Sequence, residues 1–86
     1  MILIRYEEDK ITIKGHANYS DSEDIVCAAV SSIMYTSVNA ILRFNETAIK
    51  YNDSGNVVTI DINSNDEVTD TLITNMIALY LELASK

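Results

Sequence analysis

The sequence predicts an α+β domain, a two-layer α/β sandwich in which two helices cover one face of a four-stranded antiparallel sheet. Four short segments show the apolar alternation that is typical of strands, and two longer segments show the apolar spacing of helices. Along the chain the order is strand, strand, helix, strand, strand, helix. Short connections join the strands of each pair, which favours antiparallel hairpins. The 86 residues are enough for one small domain, residues 1–86, and no linker or repeat divides it.

The first hairpin comprises residues 1–6 and 11–17, which a polar turn separates. The second of these segments alternates cleanly, with Ile11 and Ile13 on the side that we expect to face the core. Continued to the end of the segment, the same alternation places His16 on the opposite face. A polar loop then leads into the first helix.

The first helix is predicted from about Asp24 to Phe44, after a loop that is rich in residues that begin helices. Its apolar residues cover more than one stripe, and it contains neither Gly nor Pro. Such a helix is expected to pack on the sheet and also on a second surface, such as another subunit. The sequence therefore predicts a homodimer.

Residues 47–52 and 57–62 form the second predicted hairpin. The Asn, Asp and Gly residues between them favour a turn because they tolerate positive φ. The last helix follows a segment in which Ser64 precedes Glu67 by three positions. This spacing matches a capping box, with Ser64 as the N-cap and Glu67 at the third helical position.

The composition limits the classes of partner and the compartment. The net charge of −7 at neutral pH disfavours direct nucleic-acid binding, because phosphate recognition needs a basic surface. It favours a basic partner, although solubility alone also explains an acidic surface. No apolar run approaches the roughly 18 residues of a membrane span, and the N-terminus lacks the basic start of a signal peptide. The single cysteine excludes an intrachain disulfide, which favours a cytoplasmic protein. We expect no association with a membrane.

The only histidine, His16, and the only cysteine, Cys27, flank the loop before the first helix. Cys27 lies near the start of the helix, where the positive end of the helix dipole favours a thiolate. His16 can act as a general base near neutral pH, and a thiolate with an imidazole is the minimum for nucleophilic thiol catalysis. Asp24 and Ser31 share a helical stripe with Cys27, and Asp24 can orient the imidazole.

Other interpretations of the same residues stay open at this point. A lone cysteine on a helix is often a small core residue, and a lone histidine at the end of a strand is often a surface residue. A zinc site is disfavoured because one cysteine and one histidine fall short of the usual three or four ligands. No metal and no other cofactor is expected.

Two segments of the chain resemble a known family. Gly15-His16-Ala17 and the later Asp24-Ile25-Val26-Cys27-Ala28-Ala29-Val30-Ser31 are similar to the ribosomal-processing cysteine proteases, the Prp family. The resemblance implies a small homodimeric protease that removes the N-terminal extension of a basic large-subunit ribosomal protein, number twenty-seven. The matched positions imply that His16 and Cys27 are the catalytic pair and that Asp24 and Ser31 support the site.

The resemblance also implies that the loop between the histidine and the cysteine contacts the substrate and moves when it binds. In this chain the loop lacks the glycine that relatives usually carry, and it is slightly shorter. Family substrates have a hydrophobic, Phe-containing cleavage sequence that basic residues follow. The predicted substrate-binding loop comprises Ala17, Asn18, Tyr19, Ser20, Asp21, Ser22 and Glu23.

Two alternatives to a protease belong to other functional classes. The first is a non-catalytic, acidic interaction module that binds a ribosomal protein or an assembly factor. The second is a redox sensor that uses Cys27. A protease needs both Cys27 and His16, a sensor needs the thiol alone, and an interaction module does not depend on the thiol.

Overall fold

The computed structural model describes residues 2–15, 24–55 and 57–84, with side chains from residue 28 onward in the first helix. It confirms the predicted α+β fold with four antiparallel strands and two helices in the expected order. The elements are β1 (Leu3–Glu7), β2 (Lys10–Lys14), α1 (Asp24–Phe44), β3 (Ile49–Asp53), β4 (Val57–Ile62) and α2 (Glu67–Ala84).

The sheet has the strand order β1-β2-β4-β3, and every neighbouring pair is antiparallel. The two hairpins therefore meet along β2 and β4 in the centre, whereas β1 and β3 lie at the edges. Between the central strands, Ile11 is opposite Ile60 and Ile13 is opposite Val58. Because directly opposite residues point to the same face, these four side chains form the apolar face of the sheet centre.

The core lies between this apolar face and the two helices. α1 contributes Met34 and Ile41, α2 contributes Met76, and all three have no exposed surface. Burial of one such side chain stabilises a fold by roughly 1.5–3 kcal/mol. The buried residues of strands and helices form one cluster, and α1 also packs on α2. Both helices consequently cover the same face of the sheet.

The other face of the sheet is polar. Glu7 on β1, Lys10 on β2, Asp61 on β4 and Lys50 on β3 lie side by side in the strand register. Their charges alternate in sign across all four strands, and the Lys10 ammonium lies 3.9 Å from the Asp61 carboxylate. This row favours the observed register because opposite charges on neighbouring strands attract.

α1 keeps part of its apolar surface exposed. Tyr35 is 48% exposed and Phe44 is 52% exposed, so the helix has apolar side chains beyond those that the sheet covers. The homodimer that this surplus suggests stays a prediction. Neither helix, within the part of the chain that the structure describes, is both long and apolar enough to cross a bilayer.

β2 ends earlier than the alternation predicts. The strand stops at Lys14, and Gly15 has a φ of 85°, in the left-handed region that glycine adopts without steric cost. The predicted strand over residues 11–17 is therefore wrong at Gly15. The alternation along β2 consequently no longer indicates on which face His16 lies, and His16 itself falls outside the described residues.

The N-cap of α2 also differs from the prediction. The helix begins at Glu67, and the carboxylate of Asp66 accepts hydrogen bonds from the Thr69 backbone N–H at 2.8 Å and from the Thr69 hydroxyl at 2.9 Å. Asp66 is thus the N-cap. Ser64 lies farther out and donates its hydroxyl hydrogen to the Asp66 carboxylate. The predicted capping box is wrong because the helix starts later than that box requires.

Candidate active site

Cys27 lies in the first turn of α1, because the helix begins at Asp24. This position confirms the predicted placement of the cysteine at a helix start. The partial positive charge at that end stabilises a thiolate over a thiol. The backbone N–H groups that open a helix lack intrahelical acceptors, so they can also donate to a negatively charged group that lies beside them.

Ser31 lies one helical turn beyond Cys27, on the same face of α1. Its hydroxyl oxygen is buried, and among the residues that the structure describes it has no hydrogen-bond partner. A buried hydroxyl without a partner costs roughly 1–3 kcal/mol relative to a solvated one. The hydroxyl therefore has unused hydrogen-bonding capacity one helical turn from Cys27 along the backbone.

Small residues surround this part of α1. Ala28 and Ser32 are exposed, and Ala29 is half-buried. Small side chains leave room for a polypeptide backbone to approach the helix closely. Residues 28, 29 and 32 therefore give this part of α1 a surface of low steric bulk.

A hydrogen bond ties the beginning of α1 to the end of α2. The Tyr80 hydroxyl donates to the backbone carbonyl of Val30 at 3.3 Å, and both groups are buried. Burial raises the pKa of the Tyr80 phenol well above its ordinary value of 10.0. No local sequence pattern predicts this contact, since the two residues lie 50 positions apart.

One cavity of the described structure lies near the β1–β2 turn, away from α1. It has a volume of about 610 Å³ and is lined mostly by charged residues near the β1–β2 turn, including Glu8, Asp9 and Lys10. A smaller cavity of about 150 Å³ also opens between Arg5, Thr12 and Lys14. Both open on the polar side of the sheet, away from α1. Over the residues that the structure describes, no three His, Cys, Asp or Glu side chains come together as a metal site would require.

The predicted site residues are described to different extents. The α1 backbone places Asp24, Cys27 and Ser31 along one stripe of the helix, as their spacing predicts. His16 and the predicted substrate-binding loop, residues 17–23, lie outside the described residues. The pairing of His16 with Cys27 therefore stays a prediction.

The fold and the helix-start thiol together define a small α+β protein with a candidate nucleophilic cysteine. A family model described as cysteine protease Prp matches residues 1–86. The chain belongs to this family and is a cysteine protease.

Individual relatives agree with the family assignment. The ribosomal processing cysteine protease Prp of Staphylococcus aureus strain Mu50 is 35% identical over an alignment of 82 positions, which covers 85% of this chain and 76% of the relative. The protein of strain NCTC 8325 with the same name matches equally well, at 35% identity. Among solved structures, the crystal structure of SMU.848 from Streptococcus mutans superposes with a TM-score of 0.77 at 27% identity, over 90% of this chain and 73% of that one.

Proposed function

We propose that this protein is an endopeptidase that removes the N-terminal extension of a large-subunit ribosomal protein, number twenty-seven, with Cys27 as nucleophile and His16 as general base. The observation that carries the proposal is the position of Cys27 in the first turn of α1, in a chain that belongs to the cysteine protease Prp family. The names of the Staphylococcus aureus relatives, ribosomal processing cysteine proteases, support the class of substrate.

The acylation half of the proposed reaction begins with the Cys27 thiolate and a protonated His16. The sulfur attacks the carbonyl carbon of the scissile peptide bond, a C–S bond forms, and the carbonyl π electrons move to the oxygen. Backbone N–H groups of the first turn of α1 are suited to stabilise this oxyanion. The C–N bond then breaks, the His16 imidazolium gives its proton to the departing amine, and a thioester remains.

The deacylation half regenerates the thiolate. A water molecule gives a proton to the neutral His16 imidazole and attacks the thioester carbon, so that a C–O bond forms as the C–S bond breaks. The extension leaves as a carboxylic acid, and Cys27 returns as the thiolate.

Three further groups have supporting roles in this proposal. Asp24 orients the imidazole of His16 or balances its positive charge. The Ser31 hydroxyl donates a hydrogen bond within the site. Residues 18–23 act as a lid that closes over bound substrate, as active-site loops commonly do.

The partners follow from charge and from apolar surface. The net charge of −7 attracts a basic ribosomal protein, and the cytoplasm is the compartment in which such a substrate is processed. The exposed apolar side chains of α1 support a homodimer. Sedimentation of the purified protein at micromolar concentration is expected to show a dimer, and a mass of 9.6 kDa alone would contradict this part of the proposal.

The test is mass spectrometry of the ribosomal protein after incubation with this enzyme. We expect a single cleavage that removes the extension, no cleavage by Cys27→Ala or His16→Ala, and normal cleavage by the Ser32→Ala control. An unchanged substrate mass would contradict the proposal and favour an interaction module. Oxidation of Cys27 by mild peroxide in a chain that cleaves nothing would favour a redox sensor instead.

A further inference from the structure

β1 has one unpaired edge in the part of the chain that the structure describes. It lies at the end of the sheet order and pairs with β2 alone. In an antiparallel pair, every second residue of an edge strand directs its backbone N–H and C=O groups away from the neighbouring strand. β1 can therefore accept a further strand by main-chain hydrogen bonding.

An apolar cleft lies along this edge, between β1 and α2. It has a volume of about 380 Å³, and its walls are Ile4 and Tyr6 on the strand and Ile77 and Leu81 on the helix. Leu81 is 67% exposed and Tyr6 is 48% exposed, so apolar surface remains open at the mouth of the cleft. A strand added to β1 would place every second side chain in this cleft, because side chains alternate between the two faces.

The cleft continues toward the candidate nucleophile. An adjoining cavity of about 180 Å³ shares Ile2, Ile4 and Tyr80 with the first and also reaches Val30. Val30 lies three residues after Cys27 in α1, which is less than one helical turn. The described residues that line the two cavities include no charged side chain. The Tyr80 hydroxyl among them already donates its hydrogen bond to the Val30 carbonyl.

The other end of β1 carries negative charge. The strand leads into the turn that contains Glu8 and Asp9, which are exposed and form no ion pair within the described ranges. About six residues of extended chain, roughly 20 Å, separate this turn from the Ile2 end of the cleft. If the scissile bond of a bound peptide lies at the Ile2 end, a cationic side chain of that peptide about 20 Å away is attracted by the carboxylates of Glu8 and Asp9.

We propose that the substrate binds as an extra strand on the free edge of β1, with apolar side chains at alternate positions in the cleft and a basic residue near Glu8 and Asp9. This inference rests on the proposed function, since it takes Cys27 as the nucleophile that the cleft adjoins. Strand addition supplies affinity through the main chain and specificity through alternate pockets. The occupant is therefore an extended peptide segment with apolar residues at every second position.

The binding test uses the Cys27→Ala variant of the full chain, which separates binding from cleavage. The probe is a short fluorescein-labelled peptide with leucine at alternate positions, serine between them and lysine at one end. Leu81→Glu in that background is expected to weaken binding about tenfold, because it places a charge against apolar side chains. The matched control is Leu79→Glu on the same helix, since Leu79 is exposed and does not line the cleft; its affinity is expected to be unchanged.

The backbone contribution is tested with N-methylated peptides. Methylation of one alternate set of amides is expected to abolish binding, and methylation of the other set to leave it intact, because only one set faces β1. Hydrogen exchange of the β1 amides is expected to slow when the peptide binds. These readouts do not depend on the folding of the Leu81→Glu or Leu79→Glu variants.

Two outcomes would overturn the cleft as a substrate site. One is equal peptide affinity for Leu81→Glu and Leu79→Glu together with unchanged exchange in β1. The other is a Leu81→Glu variant that dissociates a dimer while peptide affinity stays the same, which would assign the cleft to a second copy of the chain. Failure of the parent enzyme to cleave the ribosomal protein, with peptide binding intact, would instead contradict the proposed function alone.

Discussion

At the scale of single residues, the buried Ser31 hydroxyl destabilises the fold, and Ser31 lies close to the candidate nucleophile along α1. Its buried hydroxyl has no partner in the described residues, and it lies one turn beyond Cys27 in α1. A polar group that is buried without a partner lowers stability. These two observations are the basis for the prediction that the Ser31 hydroxyl forms a hydrogen bond when substrate binds.

We predict that Ser31→Ala lowers kcat/KM by up to about tenfold, because one hydrogen bond contributes roughly 0.5–1.5 kcal/mol. The same variant is expected to have an unchanged or raised Tm, since it removes an unsatisfied group. Cleavage rates and thermal melts of Ser31→Ala are to be compared with those of Ser32→Ala, whose side chain is exposed. A destabilised Ser31→Ala variant with full activity would contradict this role.

Tyr80 is the second residue whose role is decided by burial. Tyr80→Phe removes the hydrogen bond to Val30 and is expected to lower the free energy of unfolding by about 1 kcal/mol. Burial raises the pKa of Tyr80, so its contribution to stability is complete below the ordinary pKa of 10.0 and is lost as the pH rises toward the folded-state value.

An ultraviolet absorbance titration checks this assignment, and Tyr80→Phe is expected to remove a late-titrating phenol. Burial, reinforced by Tyr35 and Asp53, also raises the pKa of Tyr51, so Tyr51→Phe is the matched comparison and should likewise remove one late-titrating phenol. A titration that Tyr80→Phe leaves unchanged would show that the phenol is solvated.

At the scale of elements, the β1–β2 turn carries backbone strain. Glu8 has a φ of 52°, in the left-handed region that costs an ordinary residue about 1–2 kcal/mol. Glu8→Gly is expected to raise the free energy of unfolding by about 0.5–1 kcal/mol. This value is smaller than the strain that is relieved, because glycine loses more conformational entropy on folding than glutamate does. Glu7→Gly is the control, because Glu7 lies in regular strand, and there glycine should destabilise. Urea denaturation of both variants measures the difference, and a loss of stability in both would contradict the strain.

The start of α2 depends on the Asp66 carboxylate. The Ser64 hydroxyl and then the Thr69 backbone N–H hold the pKa of Asp66 below its ordinary value of 3.8. Because the folded-state pKa is lowered, the stabilisation is present above that ordinary value and is lost as the pH falls through the folded-state pKa. We predict that Asp66→Ala lowers Tm at neutral pH and that the difference from the parent shrinks in acid. Glu67→Ala, one position later, is expected to have a smaller effect, and equal effects would restore the capping-box assignment.

At the scale of the whole molecule, charge is unevenly distributed. Four of the six basic residues, Arg5, Lys10, Lys14 and Lys50, lie on the polar face of the sheet or at its end. The net charge is nevertheless −7, so the excess of acidic residues lies in the rest of the chain. The exposed pairs on the sheet face contribute little to stability, whereas the overall field acts on a charged substrate at long range.

We predict that kcat/KM for a basic substrate falls as the salt concentration rises, because screening weakens the attraction between the acidic enzyme and the substrate. The double variant Glu8→Gln, Asp9→Asn is expected to cleave more slowly at low salt and to show a shallower salt dependence. Initial rates across a sodium chloride series measure both effects. Rates that do not depend on salt would contradict electrostatic attraction as a contribution to substrate binding.

The local patterns of the sequence determined the elements and their order. The helix Asp24–Phe44 has the bounds that its apolar spacing and polar leading loop predict. The second hairpin turns within the predicted segment, between Asp53 and Val57, because β3 continues through Asn52 and Asp53. These features depend on residues a few positions apart, which a linear pattern contains. The place of Cys27 at a helix start belongs to the same category.

Only the tertiary structure decided which distant groups meet. The strand order leaves β1 at an edge beside α2, and the Tyr80 hydroxyl reaches Val30 across 50 residues. No periodicity specifies either arrangement, because both result from packing two helices and two hairpins around one core. The end of β2 before Gly15 and the cap at Asp66 were decided in the same way, by backbone geometry and hydrogen bonds that alternation and motif spacing do not encode.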